Sequence, residues 1–346
     1  MLKASFQKHT LVFKHPSGTS RGVLSTKDSW FLKVWDAADP EVFGLGECSV
    51  IYGLNPEQPG EIETKLKDVV ENINNRLEFD PARFPSVRFA LEAALLDLKN
   101  GGERLLFRSD FTERQKPIPI NGLVWMGEYD FMRKQIIEKV ESGFNCIKLK
   151  IGAIDFDKEL ELLRLVRNDF KEKELELRVD ANGAFGPDDA PEKLKRLSDF
   201  QIHSIEQPIK PRQWEQMAEL CERSPVPIAL DEELIGLKDA QIPSMLEVIK
   251  PAYIILKPSL VGGLERSDLF IAEALKRNIG WWATSALESN IGLNVIAQWT
   301  AVSGNEMPQG LGTGQLYVNN IPSPLTVSGG AIYYDKQKAW DLSIIK

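Results

Sequence analysis

A chain of 346 residues, 43% hydrophobic and 27% charged, has room for two domains or for one barrel with an addition. Its net charge of −8 argues against nucleic acid or an anionic membrane as the main partner. It holds no apolar run of the roughly 18 residues that a spanning helix needs. The first ten residues lack the apolar core of a signal peptide, and Cys48, Cys146 and Cys221 are too scattered for a disulfide framework or a zinc site. These features predict a cytoplasmic protein kept reduced.

In chain order, the first fifty or so residues read as antiparallel strands. Leu11-Val-Phe-Lys14 and Trp30-Phe-Leu-Lys-Val-Trp35 are β-rich. Between them, His15-Pro-Ser-Gly-Thr-Ser-Arg-Gly22 has the composition of a connecting loop. Gly44-Leu-Gly-Glu-Cys48 closes the block. From Pro56 the period becomes helical, with Ile62, Leu66, Val69 and Ile73 spaced 4, 3 and 4 apart. A second helix over 86–98 is apolar on most sides, which predicts burial between two layers, and it stops before Asn100-Gly-Gly102. Strands, then helices, then alternation suggest an α+β front domain with a βα repeat behind it.

The alternation begins with a strand over 117–124 and a helix from Gly127 to about Ser142. In Cys146-Ile-Lys-Leu-Lys-Ile-Gly152, Ile147, Leu149 and Ile151 alternate with Lys148 and Lys150. Alone, this is an amphipathic strand with one wet face. If buried, two lysines on one face need something negative opposite them. A helix follows over 157–170. Four later strand-like segments then each end in one ionisable group: Asp180, Glu206, Asp231 and Lys257. Counted from Lys150, the steps are 30, 26, 25 and 26 residues. Each is the size of one βαβ unit. Five successive strands therefore carry one charge each at the edge where a (β/α) barrel does its chemistry. Residues 280–285 and 307–312 fit strands seven and eight, and the β-type runs at 325–328 and 332–334 are expected to pack back on the front domain.

Asp180, Glu206 and Asp231 are three oxygen donors on neighbouring strands. Brought together without a cation, at least one would be forced to protonate. All-oxygen ligation suits Mg²⁺ better than Zn²⁺. Lys150 and Lys257 fall on opposite sides of a closed barrel, facing each other across a bound substrate. Free lysine titrates near 10.4, and a lysine base at neutral pH needs a pKa of about 7 to 8. The metal, a second ammonium and partial burial all push in that direction. Such a site suits abstraction of a proton next to a carboxylate. A Schiff-base reaction at Lys257 leaves the three carboxylates unexplained, and a ligand-binding relative with no activity leaves both lysines unexplained.

Lys148-Leu-Lys150, Val179-Asp-Ala-Asn182, Ile205-Glu-Gln-Pro208, Leu230-Asp-Glu232 and Ile255-Leu-Lys-Pro-Ser259 resemble the enolase superfamily, muconate-lactonising subgroup, and the likeness covers nearly the whole chain. Gly44-Leu-Gly-Glu47 and the helix segment at 90–98 resemble its capping domain. The resemblance implies an α/β barrel, a modified TIM barrel of parallel strands over 116–320. An α+β capping domain over 1–115 would cover it, joined by the C-terminal segment 321–346. It implies Asp180, Glu206 and Asp231 as Mg²⁺ ligands, Lys150 and Lys257 as acid/base residues, and Lys148 and Asn182 as neighbours of the bound carboxylate. It also implies a mobile front-domain loop over the site, for which residues 18–22 are the candidate.

None of the three histidines, His9, His15 and His203, lies beyond Lys257, which speaks against the branch with a late histidine base. His203, inside a strand, reads as structural. Gly310-Leu-Gly-Thr-Gly-Gln-Leu316 lacks the Asp-x-Asp that holds a substrate amine in dipeptide epimerases. Thr284-Ser-Ala-Leu-Glu-Ser-Asn290 and Arg178 are similar to subgroup members that expel water, which makes Ser285 a substrate-binding candidate. The implied reaction is a syn-dehydration of a small carboxylate, with Lys150 taking the α-proton and Lys257 a cation against the ring. Racemisation or cycloisomerisation by the same two lysines is the alternative. The sequence leaves the oligomeric state open.

Overall fold

The computed structural model describes residues 1–19, 22–75, 77 and 79–345. Three antiparallel strands, β1 (Leu2–Thr19), β2 (Gly22–Asp36) and β3 (Asp39–Ser49), open the chain in that spatial order. Alternation along β2 sends Trp30, Leu32 and Val34 against α1 (Glu61–Glu71) and α2 (Pro85–Lys99), and Phe31 to the other face, against Ile291 and Ile321. The sheet is thus sandwiched between its own helices and the second half of the chain.

The stretch expected as a loop, 15–22, is strand on both sides of its tip, because β1 and β2 stay paired out to Thr19 and Gly22. The register shifts between Val12 and Ser17. There Pro16 has no N–H to offer the ladder, and Lys14 instead donates to the Leu316 carbonyl at 2.8 Å. Ser20 and Arg21, the tip of the expected mobile loop, lie outside the described residues.

The Gly-x-Gly pair in β3 is dictated by α2. A Cβ on Gly44 would lie 1.9 Å from the Ala94 carbonyl oxygen, and one on Gly46 would lie 1.9 Å from that of Ala90. Backbone meets backbone there, so only glycine fits. The opposite side of α2 gives Phe89 and Ala93 to the large core of the second half. This accounts for the apolar breadth of the helix.

Behind the front sheet come α3 (Asp110–Arg114), β4 (Ile118–Pro119), β5 (Gly122–Val124), α4 (Tyr129–Glu141), β6 (Cys146–Lys150), α5 (Phe156–Asp169), β7 (Glu176–Asp180) and α6 (Ala190–Ser198). Then follow β8 (Ser204–Glu206), α7 (Trp214–Arg223), β9 (Ile228–Leu230), α8 (Ile242–Ile249), β10 (Tyr253–Leu256), α9 (Pro258–Val261), α10 (Leu264–Leu275), β11 (Gly280–Ala283) and α11 (Asn290–Val302). Strands β5 to β11 form one parallel sheet in chain order. Its edges are joined by Gln309 and Gly310, which bridge to Ile120 and Thr284 in parallel sense. The barrel is closed, but its eighth strand is reduced to these two bridges. No helix among the described residues is long and apolar enough to cross a membrane.

The C-terminal hairpin, β12 (Leu325–Ser328) and β13 (Ala331–Tyr334), pairs with β4 instead of the front sheet. Ile332 and Tyr334 are drawn into the barrel core, where Tyr334 meets Phe111 with ring centroids 6.0 Å apart. The tail beyond it reaches the front sheet, with Trp340, Leu342 and Ile345 against Phe31 and Leu45.

Gly46→Ala is expected to force β3 off α2 and to cost roughly 1 to 3 kcal/mol, the usual penalty of overpacking. A lowered thermal midpoint measures it, and an unchanged midpoint would contradict the packing described.

Candidate active site

Alternation builds the site. On β6, Ile147 and Leu149 pack outward on the helices, so Lys148 and Lys150 point into the barrel. The parallel register sets Lys150 opposite Asp180, and Asp180 opposite Glu206. Asp231 follows β9 directly, and Lys257 follows β10. The barrel thus brings the five expected charges to one rim, on five adjacent strands, in the order Lys-Asp-Glu-Asp-Lys.

The carboxylates are deeply buried: Asp180 is 1%, Glu206 2% and Asp231 2% exposed. Ammonium groups lie between them. Lys148 Nζ donates to Glu206 Oε2 at 2.7 Å and to Asp180 Oδ2 at 3.2 Å. Lys150 Nζ donates to Asp180 Oδ2 at 3.2 Å and to Asn182 Oδ1 at 2.6 Å. Lys257 Nζ donates to Asp231 Oδ2 and stands 3.9 Å from Glu206 Oε1. With the lysines so placed, no three acidic, histidine or cysteine side chains among the described residues form a ready-made metal cluster.

Electrostatics singles out the middle acid. Burial pushes Glu206 up, and the flanking Asp180 and Asp231 raise it further than the lysines can lower it, to about 8. Burial also raises Asp231. For Asp180, burial is outweighed by Lys150, Lys148 and Lys257, which hold it well below the usual carboxylate range. Burial works against a charged Lys148 or Lys257, but the carboxylates win in both cases and hold the amines above the ordinary lysine value. A Lys257 held above the ordinary lysine value by Asp231 agrees with the cationic role expected of it.

Asn182 sits just past β7 with φ +45°, a backbone position unfavourable for most residues. It is held by its N–H on Asp180 Oδ1 at 3.0 Å and by Nδ2 on Glu232 Oε1 at 3.1 Å. Two residues without a predicted role complete the rim. Glu232 steadies Asn182. Gln207 accepts from the backbone of Asp231 and Glu233 at 3.2 and 3.3 Å, so it fixes the turn that carries Asp231. Both were in the sequence motifs, beside an acid that drew the attention. His203 lies before β8, at the far end of that strand from the rim, stacked on Tyr253 with centroids 5.0 Å apart.

A cavity of about 270 Å³ takes in the rim: it is walled by Lys150, Lys257, Asn182, Ser285 and Thr313, by apolar Trp125 and Leu287, and by Ile51 and Leu54 from the front domain, and it extends to Phe144 and Gly329 near the start of β6. Ser285 does line it, as expected. Its one hydroxyl proton, however, goes to Glu288, and its oxygen accepts from Thr313 Oγ1 at 2.8 Å.

A capped parallel barrel whose rim sets two amines on either side of three buried acids defines an acid–base enzyme of the α/β-barrel class. Residues 132–337 match the family described as enolase C-terminal domain-like, and the chain belongs to that family. It is 49% identical to an o-succinylbenzoate synthase of Desulfotalea psychrophila, over 96% of this chain and 98% of that one. An N-succinylamino acid racemase of Amycolatopsis is 28% identical, over 91% of this chain and 87% of the racemase. The solved structure of MenC from Desulfotalea psychrophila superposes with a TM-score of 0.85 at 45% identity, covering 96% of this chain and 99% of MenC. A substrate-liganded L-Ala-D/L-Glu epimerase from Bacillus subtilis shares the fold, with a TM-score of 0.82 at 17% identity over 98% and 97% of the two chains.

Glu206 generates a pH prediction. Its folded pKa of about 8 lies above the ordinary 4.5, so the protonated form favours the folded state. That contribution is complete below the ordinary value and is lost as the pH rises through about 8. In EDTA, the thermal midpoint should fall as the pH rises from the ordinary 4.5 to about 8 and level off above that, and Glu206→Gln should remove most of that slope. A midpoint flat across this window in the parent protein would contradict the assignment.

Proposed function

We propose that this chain is an o-succinylbenzoate synthase, a cytoplasmic, Mg²⁺-dependent carbon–oxygen lyase of menaquinone biosynthesis. Its reaction is the syn-dehydration of 2-succinyl-6-hydroxy-2,4-cyclohexadiene-1-carboxylate. Residues 1–115, with the tail beyond Tyr334 against their sheet, would cap a catalytic barrel over 116–320, to which the hairpin 325–334 is attached through β4. The observation that carries the chemistry is the rim itself, with Lys150 and Lys257 at opposite ends of a buried row of acids. The choice of dehydration rests on the 49% identity with a synthase along 96% of the chain.

The rim residues fit Mg²⁺. The donors are all oxygen, the hard ligands that this ion prefers. Glu206 Oε1 is buried without a hydrogen-bond partner, and the raised Glu206 marks a site short of positive charge. Asp180, Glu206 and Asp231 would hold the ion, which when bound supplies Lewis-acid stabilisation of the charge developing on the substrate carboxylate.

Lys150 removes the proton α to the ring carboxylate. Asn182, held by Glu232, fixes the position of its Nζ. In a syn elimination the hydroxyl leaves from the face where the proton was taken, so the newly protonated Lys150 is the acid at hand. One C–H and one C–O bond break, a ring double bond forms, and the proton leaves with the hydroxyl as water. Lys257 stands on the other flank as a cation against the ring face. Lys148, deeper between Asp180 and Glu206, keeps positive charge beneath the carboxylate. Trp125, Leu287, Ile51 and Leu54 give the cavity an apolar wall opposite its charged groups, and excluding water there strengthens each of these interactions.

Amines on both flanks also suit two-base racemisation, and the 28% identity to an N-succinylamino acid racemase favours that as the second reading. Incubation in D₂O separates the two. A racemase must wash deuterium into the α-position of an N-succinylamino acid, whereas the synthase reading requires formation of the aromatic product from the cyclohexadiene.

Lys150→Ala should lower kcat by about 10² to 10⁴-fold, the usual worth of a positioned base. A loss of less than about tenfold would remove Lys150 from that role. Removing divalent ions with EDTA should abolish aromatisation, and added Mg²⁺ should restore it. Turnover unaffected by EDTA would rule out the assignment of Asp180, Glu206 and Asp231.

A further inference from the structure

The glycines of Gly44-Leu-Gly-Glu47 serve α2, but Glu47 faces the other way, toward the barrel. It is fully buried. Its carboxylate accepts from Ser29 Oγ on β2 at 2.7 Å, from Ser289 N at 2.9 Å, from Ser289 Oγ, and from Gly292 N at 2.9 Å. Ser289 is the N-cap of α11, and its own hydroxyl caps Ile291 at 3.2 Å. The open N–H groups at the start of a helix favour a nearby carboxylate. Here that carboxylate comes from the capping sheet, more than two hundred residues away in sequence. Gly292 allows the approach, because a Cβ there would lie 3.0 Å from Glu47 Oε2 and 2.8 Å from Glu288 Cβ.

One residue before the cap, Glu288 is also fully buried. It accepts from Ser285 Oγ and from Ser259 Oγ. Lys27, buried on β2, bonds Ser49 and lies within electrostatic reach of both Glu47 and Glu288. The segment 284–289 walls the cavity through Thr284, Ser285 and Leu287. It is therefore tied at both ends: to the barrel ladder by Thr284 N on the Leu256 carbonyl at 2.8 Å, and to the capping sheet by Ser289 on Glu47.

We propose that Glu47 is a positioning residue for the substrate-facing segment 284–289, holding it in register by capping α11 from the other domain. The kinetic part of this proposal rests on the synthase reading, and its structural part does not. Substrate fit in the cavity then depends on a residue that never touches substrate, and the cap and the cavity wall behave as one body.

Glu47→Gln tests this. The change keeps the size and turns one accepting oxygen into a donor that faces other donors. KM should rise about tenfold with kcat within about threefold, and amide exchange at 287–292 should speed up at least tenfold while β6 and β7 stay unchanged. Because the effect runs through the segment, Glu47→Gln added to Ser285→Ala should change KM by less than about twofold. Unchanged exchange at 287–292, exchange raised evenly across the barrel, or KM effects that multiply would each overturn the proposal. Should Glu47→Gln not fold, Ser29→Ala removes a single donor to Glu47 and should give the same pattern in weaker form. Absence of turnover in the parent enzyme would count against the synthase reading, and the exchange pattern would still decide the role of Glu47.

Discussion

Three carboxylates on neighbouring strands cannot be buried side by side unless positive charge lies between or beside them. Each ion taken out of water costs several kcal/mol even after relaxation. The barrel meets this constraint with lysines drawn from the same strands. Lys148 lies between Asp180 and Glu206, Lys150 closes one end of the row and Lys257 the other. The parallel register fixes the order: Lys150, Asp180 and Glu206 fall level, and Asp231 and Lys257 each follow two residues further along their strands. What remains unbalanced is the middle acid, and Glu206 is accordingly the carboxyl driven to about 8. A row of this kind is a poor source of stability. It persists because the apolar shell around it, more than fifty buried side chains in one cluster, supplies the folding energy independently.

The front domain matters for a related reason. A rim open to solvent would screen its own charges. Ile51 and Leu54, just beyond β3, close one side of the cavity. They can reach it only because β3 lies flat on α2, and that close approach requires Gly44 and Gly46. The glycines, the helix and the cavity wall are thus links of one chain of cause running from sequence to site.

Much of the site was legible before the fold was known, and the reason is local. A period-2 strand ending in a charge, repeated at βαβ spacing, needs no long-range information to be recognised. The same spacing located seven parallel strands, and only the first two helices between them, α4 and α5, were read directly from the sequence. Spacing alone also placed the eighth strand: 307–312 holds the bridges at Gln309 and Gly310, though no alternation marks them. The logic failed where pairing is not periodic. The loop-like composition of 15–22 hid a hairpin that stays paired to its tip. The bonds of Glu47 to Ser289 and Gly292 join positions 242 and 245 residues apart, where neither end announces the other. Ser285 was found as a cavity residue, but the loss of its proton to Glu288 follows only from the turn that brings the two together.

An eighth strand of two bridges raises the question of what keeps the barrel shut. Arg178 supplies an answer from inside the lumen. It is 1% exposed, in register with Lys148 one layer below the acids. Its Nε is held by Glu176 at 2.7 Å and its guanidinium lies 4.3 Å from the Trp282 ring centroid. Its Nη1 donates to the Pro308 carbonyl at 2.8 Å, next to the bridging residues. A side chain from β7 therefore holds the closing segment from across the barrel, where strand pairing alone is thin. The planar fork of arginine can stack on a ring and bond a carbonyl at once, which lysine cannot. The residue that resembled a marker of the water-expelling members is, in the fold, a strut beneath the rim that ties β7 to the closing segment.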